Sequence, residues 1–219
     1  MKPFKVVVEL ETPVCLGAET FWTLDAVCHG IIEDFVQLGL ADGELMDRIP
    51  LKQEDGLFFA SKAMFKSDIE TSLTKIGGIR PVRDMHDPEA FLERKRQTFA
   101  KVLTTRGPHK ALLSRYTMIA ARSVSWFAVG DPEAVVALIH NAGSIGALRK
   151  DGHGRIADVS YEVADDIDPL VSDGKPLRPI PRHHEAFSRV TQDAMIMTAA
   201  WRPSYFDIAN RSVCAVPDV

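Results

Sequence analysis

Cysteine is scarce in this 219-residue sequence, which has three, at positions 15, 28 and 214, with no C-x-x-C pair. This odd number and spacing argue against a disulfide framework and a zinc ribbon, so we expect reduced thiols and a cytoplasmic protein. Long apolar runs are also absent, and residues 134–139 are too few to cross a bilayer. We therefore expect no membrane partner, no metal and no cofactor.

Acidic residues are missing from positions 94–130, although the whole chain has a net charge of −4. A window of this length contains about three or four acids at average composition. Residues 62–122 hold 13 Lys/Arg and 6 Asp/Glu, a net charge of +7, which leaves −11 for the remainder. This asymmetry favours a polyanionic partner, although acids close in space could neutralise it. The cations in question are Arg94, Lys95, Arg96, Lys101, Arg106, Lys110, Arg115 and Arg122.

The order of the periodic segments predicts an α+β fold. Alternating or β-rich patterns predict strands at 4–10, 57–65, 116–129 and 155–163. Apolar spacing predicts two helices, one capped by Thr23 and closed by Gly39, the other at 132–141 capped by Asp131. Strand, helix, strand, strand, helix, strand is the ferredoxin-like arrangement that RNA-recognition modules also use.

Three regions follow from this assignment. Residues 1–65 and 116–163 form the ferredoxin-like core, and residues 66–115 form a long basic inserted arm with a helical piece near 88–102. Residues 164–219 form a C-terminal β extension packed on the core, with strands near 193–200 and 212–216. Long irregular insertions in compact domains are usually functional, so we expect the arm to contribute to binding.

A glycine-rich loop follows the second predicted helix. Glycine backbones can approach a ligand closely, and exposed amides attract phosphate oxygens, so a loop that also carries cations predicts RNA binding. The spacing matches neither the P-loop nor the dinucleotide fingerprint, and a tight helix-to-strand connection would also need glycines. The candidate RNA-binding residues of the loop are Gly143, Gly146, Arg149, Lys150, Gly152, His153, Gly154 and Arg155.

The stretch from Gly146 to Arg155, GALRKDGHGR, resembles the glycine-rich signature of the RAMP (repeat-associated mysterious protein) superfamily. Shorter stretches at 23–26, 173–181, 202–206 and 214–217 are similar to the type IV CRISPR subunit of this superfamily, which belongs to the fifth Cas family. The resemblance implies a ferredoxin-like fold. It also implies a non-catalytic subunit that caps the 5′ handle of the guide RNA with a thumb-like arm.

The implied partners are the guide RNA, the large subunit and the backbone subunit of an antiviral ribonucleoprotein complex, with target DNA contacted indirectly. The main alternative is a RAMP-type endoribonuclease of the sixth Cas family that processes repeat RNA without metal. In that family the glycine loop usually lies near the C terminus, whereas about 65 residues follow it here. This position favours the fifth family.

The alternative functions would use different residues. An endoribonuclease could use His153 as a general base on a 2′-hydroxyl. A hydrolytic metal site could use Asp25, His29 and Glu33, which share one helix face, although their spacing opposite the apolar stripe favours a solvated surface. Adjacent His183 and His184 point to opposite sides of a strand, which makes joint ligation awkward. A plain protein-interaction module would use the acidic remainder of the chain.

Overall fold

A computed structural model describes residues 1–17, 21–39, 46–66, 68–77 and 110–218. These residues form a mixed α/β structure with antiparallel sheets. The described helices are α1 (Leu24–Gln37) and α2 (Pro132–Ala142). The described strands are β1 (Lys2–Leu10), β2 (Val14–Leu16), β3 (Gln53–Glu54), β4 (Leu57–Phe58), β5 (Met64–Lys66), β6 (Ile69–Gly77), β7 (Leu112–Ala120), β8 (Ser123–Gly130), β9 (Ile156–Val163), β10 (Val171–Ser172), β11 (Lys175–Pro176), β12 (Ile180–Pro181), β13 (Ile196–Ala200) and β14 (Arg211–Ala215).

The main sheet has the strand order β5-β8-β1-β9. Alternation along β1 buries Phe4, Val6 and Val8, because successive side chains of a strand point to opposite faces. These three side chains belong to one core cluster with Val27 and Ile31 of α1 and with apolar residues of α2. The helices therefore cover one face of the sheet.

Both predicted helices are confirmed. Asp131 caps α2 by accepting a 3.1 Å hydrogen bond from the Ala134 amide, and Pro132 occupies the first turn. Thr23 occupies the N-cap of α1, but its hydroxyl contacts the Tyr205 hydroxyl at 2.8 Å instead of capping an amide. Among the described helices, neither has the length and apolarity needed to cross a bilayer.

The single strand expected at 57–65 is wrong. The structure has β4 and β5 there, separated by a connection whose backbone bonds to several different segments. The Ser61 amide donates to the Phe127 carbonyl at 2.8 Å, and the Ala63 amide donates to the Trp22 carbonyl at 2.8 Å. Because the backbone of this connection bonds to different segments, it does not form one continuous strand, although its composition is β-rich throughout.

The single strand expected at 116–129 is also wrong. It divides at residues 121–122, where the Arg122 amide donates to the Lys66 carbonyl at 3.2 Å and the Arg122 carbonyl accepts from the Leu10 amide at 3.0 Å. The strand β8 stays in the main sheet, whereas β7 joins a second sheet of order β2-β7-β6. The ends of the expected arm are therefore a β-ribbon, β6 with β7. The rest of the arm, including the helical piece expected near 88–102, lies outside the described residues.

The C-terminal extension has its own sheet, of order β12-β14-β13, and a small β10-β11 hairpin. The strands expected near 193–200 and 212–216 are confirmed as β13 and β14. A second core cluster joins this extension to the first half of the chain, since Leu57 and Phe21 pack with Leu170, Ile180 and Trp201. The extension is therefore anchored on residues close to α1 and β4.

Candidate nucleic-acid interface

The glycine-rich loop occupies residues 143–155 between α2 and β9, as the sequence predicts. Gly143 ends α2 in a left-handed conformation with φ of 65°. A Cβ atom at Gly154 would lie 1.9 Å from the Ile145 carbonyl oxygen, and one at Gly146 would lie 2.7 Å from the Cys15 oxygen. These two glycines therefore allow close packing of protein backbone on protein backbone. The loop needs glycine for its own geometry, whatever it binds.

Backbone and hydroxyl contacts fasten the loop to the segment that joins β1 to β2. The Ala147 amide donates to the Cys15 carbonyl at 2.6 Å, and the Gly154 amide donates to the Pro13 carbonyl at 2.9 Å. The Thr12 hydroxyl accepts from the Arg155 amide and donates to the Gly152 carbonyl, both at 2.9 Å. Residues 12–15 therefore hold the loop at several points along its length.

Two of the three predicted loop cations form ion pairs within the protein. Arg149 Nη2 lies 2.5 Å from Asp34 Oδ2 on α1, and Arg155 Nε lies 3.4 Å from Glu11 Oε2. The Arg155 side chain is 63% exposed, so its pair contributes less than about 1 kcal/mol and can open for another anion. Arg149 is less exposed and more firmly held. Lys150 is exposed.

A further ion pair joins the loop to the ribbon, since Lys75 of β6 contacts Asp151. Lys75 was not among the predicted binding residues, although it lies within the basic stretch at residues 62–122. Ser114 lies opposite Lys75, so Arg115 projects from the other ribbon face. The structure therefore does not bring Arg115 onto the side that meets the loop. Lys110 is exposed just before β7, and Arg94, Lys95, Arg96, Lys101 and Arg106 lie outside the described residues.

The ribbon presents exposed apolar side chains next to the basic insertion. Ile76 and Leu113 form a cross-strand pair and are 71% and 65% exposed.

A shallow cavity of about 140 Å³ lies between the loop, α1 and β2, lined partly by Trp22, Gly30 and Arg149. Typical small-molecule pockets start at about 300 Å³, so this cavity is small for a bound cofactor.

The solvated helix surface expected for Asp25 and His29 is wrong. Asp25 is fully buried and His29 is 8% exposed, and the Asp25 carboxylate contacts Arg178 and Tyr205 of the C-terminal extension. Burial lowers the pKa of His29, against the opposing charges of Glu33 and Asp25. Within the described residues, no three His, Cys, Asp or Glu side chains are grouped to hold a metal ion.

Arg178 lies at the centre of a buried polar cluster that ties the extension to the core. Its two terminal nitrogens lie 3.1 and 3.3 Å from the two Asp25 carboxylate oxygens, and both residues have 0% exposure. The guanidinium also donates to the carbonyls of Phe58, Ala60 and Trp201 at 2.6, 3.3 and 2.7 Å. The Tyr205 hydroxyl donates to Asp25 at 2.5 Å. The cluster gives hydrogen-bond partners to both terminal nitrogens of Arg178 and to both oxygens of Asp25, charged groups that would otherwise be very costly to bury, whereas Arg178 Nε has no partner among the described residues.

Burial alone would disfavour the charged guanidinium. The charge of Asp25 and the hydrogen bonds of the cluster outweigh it, so the pKa of Arg178 lies above its ordinary value. Burial also raises the pKa of Tyr205 and keeps its hydroxyl protonated as a donor. Three of the stretches that resemble the type IV subunit, at 23–26, 173–181 and 202–206, meet in this cluster. These three stretches therefore form the junction between the C-terminal extension and the core.

Comparison with protein families gives a match over residues 59–217 to CRISPR type IV associated protein Csf3. The chain belongs to this Csf3 family. The matched region includes the glycine-rich loop, the ribbon strands and every strand of the C-terminal extension. Comparison with curated proteins found no match. Membership establishes a type IV CRISPR-associated protein, in agreement with the system type expected from the sequence.

Proposed function

We propose that this Csf3-family protein is a non-catalytic RNA-binding subunit of a type IV CRISPR ribonucleoprotein, belonging to the RAMP superfamily and to the fifth Cas family. It holds the 5′ handle of the guide RNA and anchors neighbouring subunits, including the large and backbone subunits, for RNA-guided DNA targeting. The observation that carries this proposal is the Lys75–Asp151 contact, which fastens the glycine-rich loop to the ribbon that leads into the basic insertion.

The connectivity supports the ferredoxin-like assignment. In the order β5-β8-β1-β9, the first and third core strands are neighbours at the centre, and the second and fourth lie at the edges. The helix α1 lies between β1 and β5 along the chain, with the short strands β2 before it and β3 and β4 after it. The helix α2 connects β8 to β9. The second sheet, β2-β7-β6, is then an elaboration that carries the insertion away from the core.

The charges near the loop support binding of a single RNA strand. Three cations there, Arg149, Arg155 and Lys75, each pair with one carboxylate, and a fourth cation, Lys150, is exposed. Exposed ion pairs of this kind are weak, and phosphate groups can replace the carboxylates at small cost. Phosphate contacts supply most of the affinity for single strands, whereas sequence is read from exposed bases. We assign about five phosphate contacts to the loop and the arm together.

The test is a binding titration of the purified chain with a single-stranded RNA of the repeat-derived handle sequence across salt concentrations. About five phosphate contacts predict a slope of about −3.5 in log K against log salt, because each contact contributes about −0.7. Lys150→Gln should reduce the slope by about 0.7, whereas Arg182→Gln, on the separate β12-β14-β13 sheet, should not change it. Wild-type binding without a salt slope would refute the proposal.

The same samples distinguish the endoribonuclease. Labelled repeat RNA incubated with the protein without metal should remain intact. A discrete product that disappears in His153→Ala would replace the non-catalytic role with RNA processing.

A further inference from the structure

The strand β13 forms one edge of the β12-β14-β13 sheet and leaves backbone groups open there. The Met195 carbonyl accepts from the Val216 amide at 2.9 Å, and the Trp201 amide donates to the Asn210 carbonyl at 3.2 Å. These contacts fix the register with β14. In an antiparallel pair the bonded and non-bonded positions alternate, so the amide and carbonyl of Ile196 and Thr198 point away from β14. Neither residue has a backbone partner on that side among the described residues.

This edge lacks the features that usually protect exposed strands. Edge strands in soluble proteins commonly carry lysine, proline or a bulge that prevents pairing with another chain. Residues 195–200 read MIMTAA and contain neither charge nor proline. Met195, Ile196 and Met197 are 51%, 50% and 41% exposed. Exposed apolar side chains beside an open backbone edge are typical of a site that receives another strand.

The sheet face beside this edge is basic and has a pocket. The register places Arg182, Val213 and Thr198 in one row across the three strands, with Ile196 on the same face. Arg182 is exposed and lines a pocket of about 290 Å³ with Phe187, Val190, Thr191, Gln192 and Ile196. Within the described strands, the register places no carboxylate on this face. The complementary ligand is therefore apolar and acidic.

We propose that β13 accepts a β-strand from another protein subunit, with apolar side chains at alternate positions and an acidic side chain that reaches Arg182 through the pocket beside Ile196. The identity of that subunit as a member of the type IV ribonucleoprotein rests on the proposed function. The edge favours protein over RNA, because its exposed side chains are aliphatic and its open groups are those that complete a β-ladder. Strand addition of this kind gains affinity from the backbone and specificity from the side-chain pocket.

The first experiment places a photo-reactive phenylalanine analogue at position 196 in the purified complex of this chain with its type IV subunits and guide RNA. The matched control carries the same group at position 208, since Ile208 is 83% exposed and lies outside β13. We expect a protein cross-link from position 196 only, to an extended segment that contains an acidic residue. A cross-link to RNA, a cross-link to a second copy of the chain, or none would overturn the inference.

The second experiment blocks the edge. Thr198→Pro removes an amide that points away from β14, so the β13-β14 pairing stays intact. Ile196→Lys adds a charge to the same edge without needing a change of backbone, and Ile208→Lys is its control. We expect at least tenfold weaker capture of the partner subunit by both edge variants and less than a twofold change for the control.

Handle-RNA binding by the isolated edge variants should equal that of the wild type. This readout separates the two proposals, because failure of wild-type RNA binding rejects the proposed function alone. Unchanged subunit capture by Ile196→Lys, with its thermal unfolding unaltered, rejects strand addition alone.

Discussion

Replacing Arg178 tests the strongest structural claim, that one buried guanidinium holds the C-terminal extension to α1. Arg178→Met leaves the Asp25 carboxyl buried without its counter-charge, with only the Tyr205 hydroxyl donating to it. It also removes the donor from three carbonyl oxygens. Loss of one partner of a buried pair costs about 3–5 kcal/mol, and each orphaned carbonyl adds to that cost.

The assay is urea unfolding followed by tryptophan fluorescence, since Trp201 lies beside the cluster. With a denaturant dependence of about 2–3 kcal/mol/M for a chain of this size, the midpoint should fall by about 1–2.5 M. The control is Arg189→Met, which breaks the exposed Arg189–Asp168 pair and should cost less than about 1 kcal/mol. An Arg178→Met variant within 1 kcal/mol of the wild type would refute the assignment, and one that cannot fold would agree with it.

Two further predictions concern a titration and a turn. Burial lowers the pKa of His29 below its unfolded value of about 6.5, so its contribution to stability is full above that pH and is lost as the pH falls through the folded pKa. His29→Gln should therefore flatten the fall of unfolding free energy between about pH 7 and 5 in urea titrations; an unchanged slope would contradict this. Gly154→Ala should lower the melting temperature more than Gly152→Ala, because its Cβ would meet the Ile145 carbonyl, whereas Gly152 has open space around it. Equal shifts in calorimetry would show that the left-handed backbone alone sets the cost.

Local signals in the sequence predicted the elements that depend on local chemistry. Asp131-Pro132 defines the start of α2, and the glycine-rich loop lies between a helix and a strand as its composition indicates. Alternation predicted β1 and β9 within two residues. These features need only neighbours along the chain, which is why a sequence pattern is enough to find them.

Features that depend on distant partners were missed. The pattern over 116–129 stays β-rich, but Arg122 bonds to the Leu10 and Lys66 backbones, and this redirects β7 into another sheet. Asp25 has a polar side chain on a helix face away from the apolar stripe, so the sequence indicates solvent. Only Arg178, 153 residues further along the chain, makes burial possible there. The spacing of residues within α1 therefore cannot predict that Asp25 is buried.

Burial and ion pairing divide the cations of this protein into structural cations and cations available for binding. Arg178 has no exposed surface and all its described contacts are internal, so it serves the junction between the extension and the core. Arg149 is engaged by Asp34 and mainly positions the loop. Lys150 and Arg155 remain exposed, on the same loop that Asp151 fastens to β6. Affinity for RNA should therefore depend on these exposed side chains and on the basic insertion, because only a cation that can exchange its partner without a buried cost is available to a phosphate.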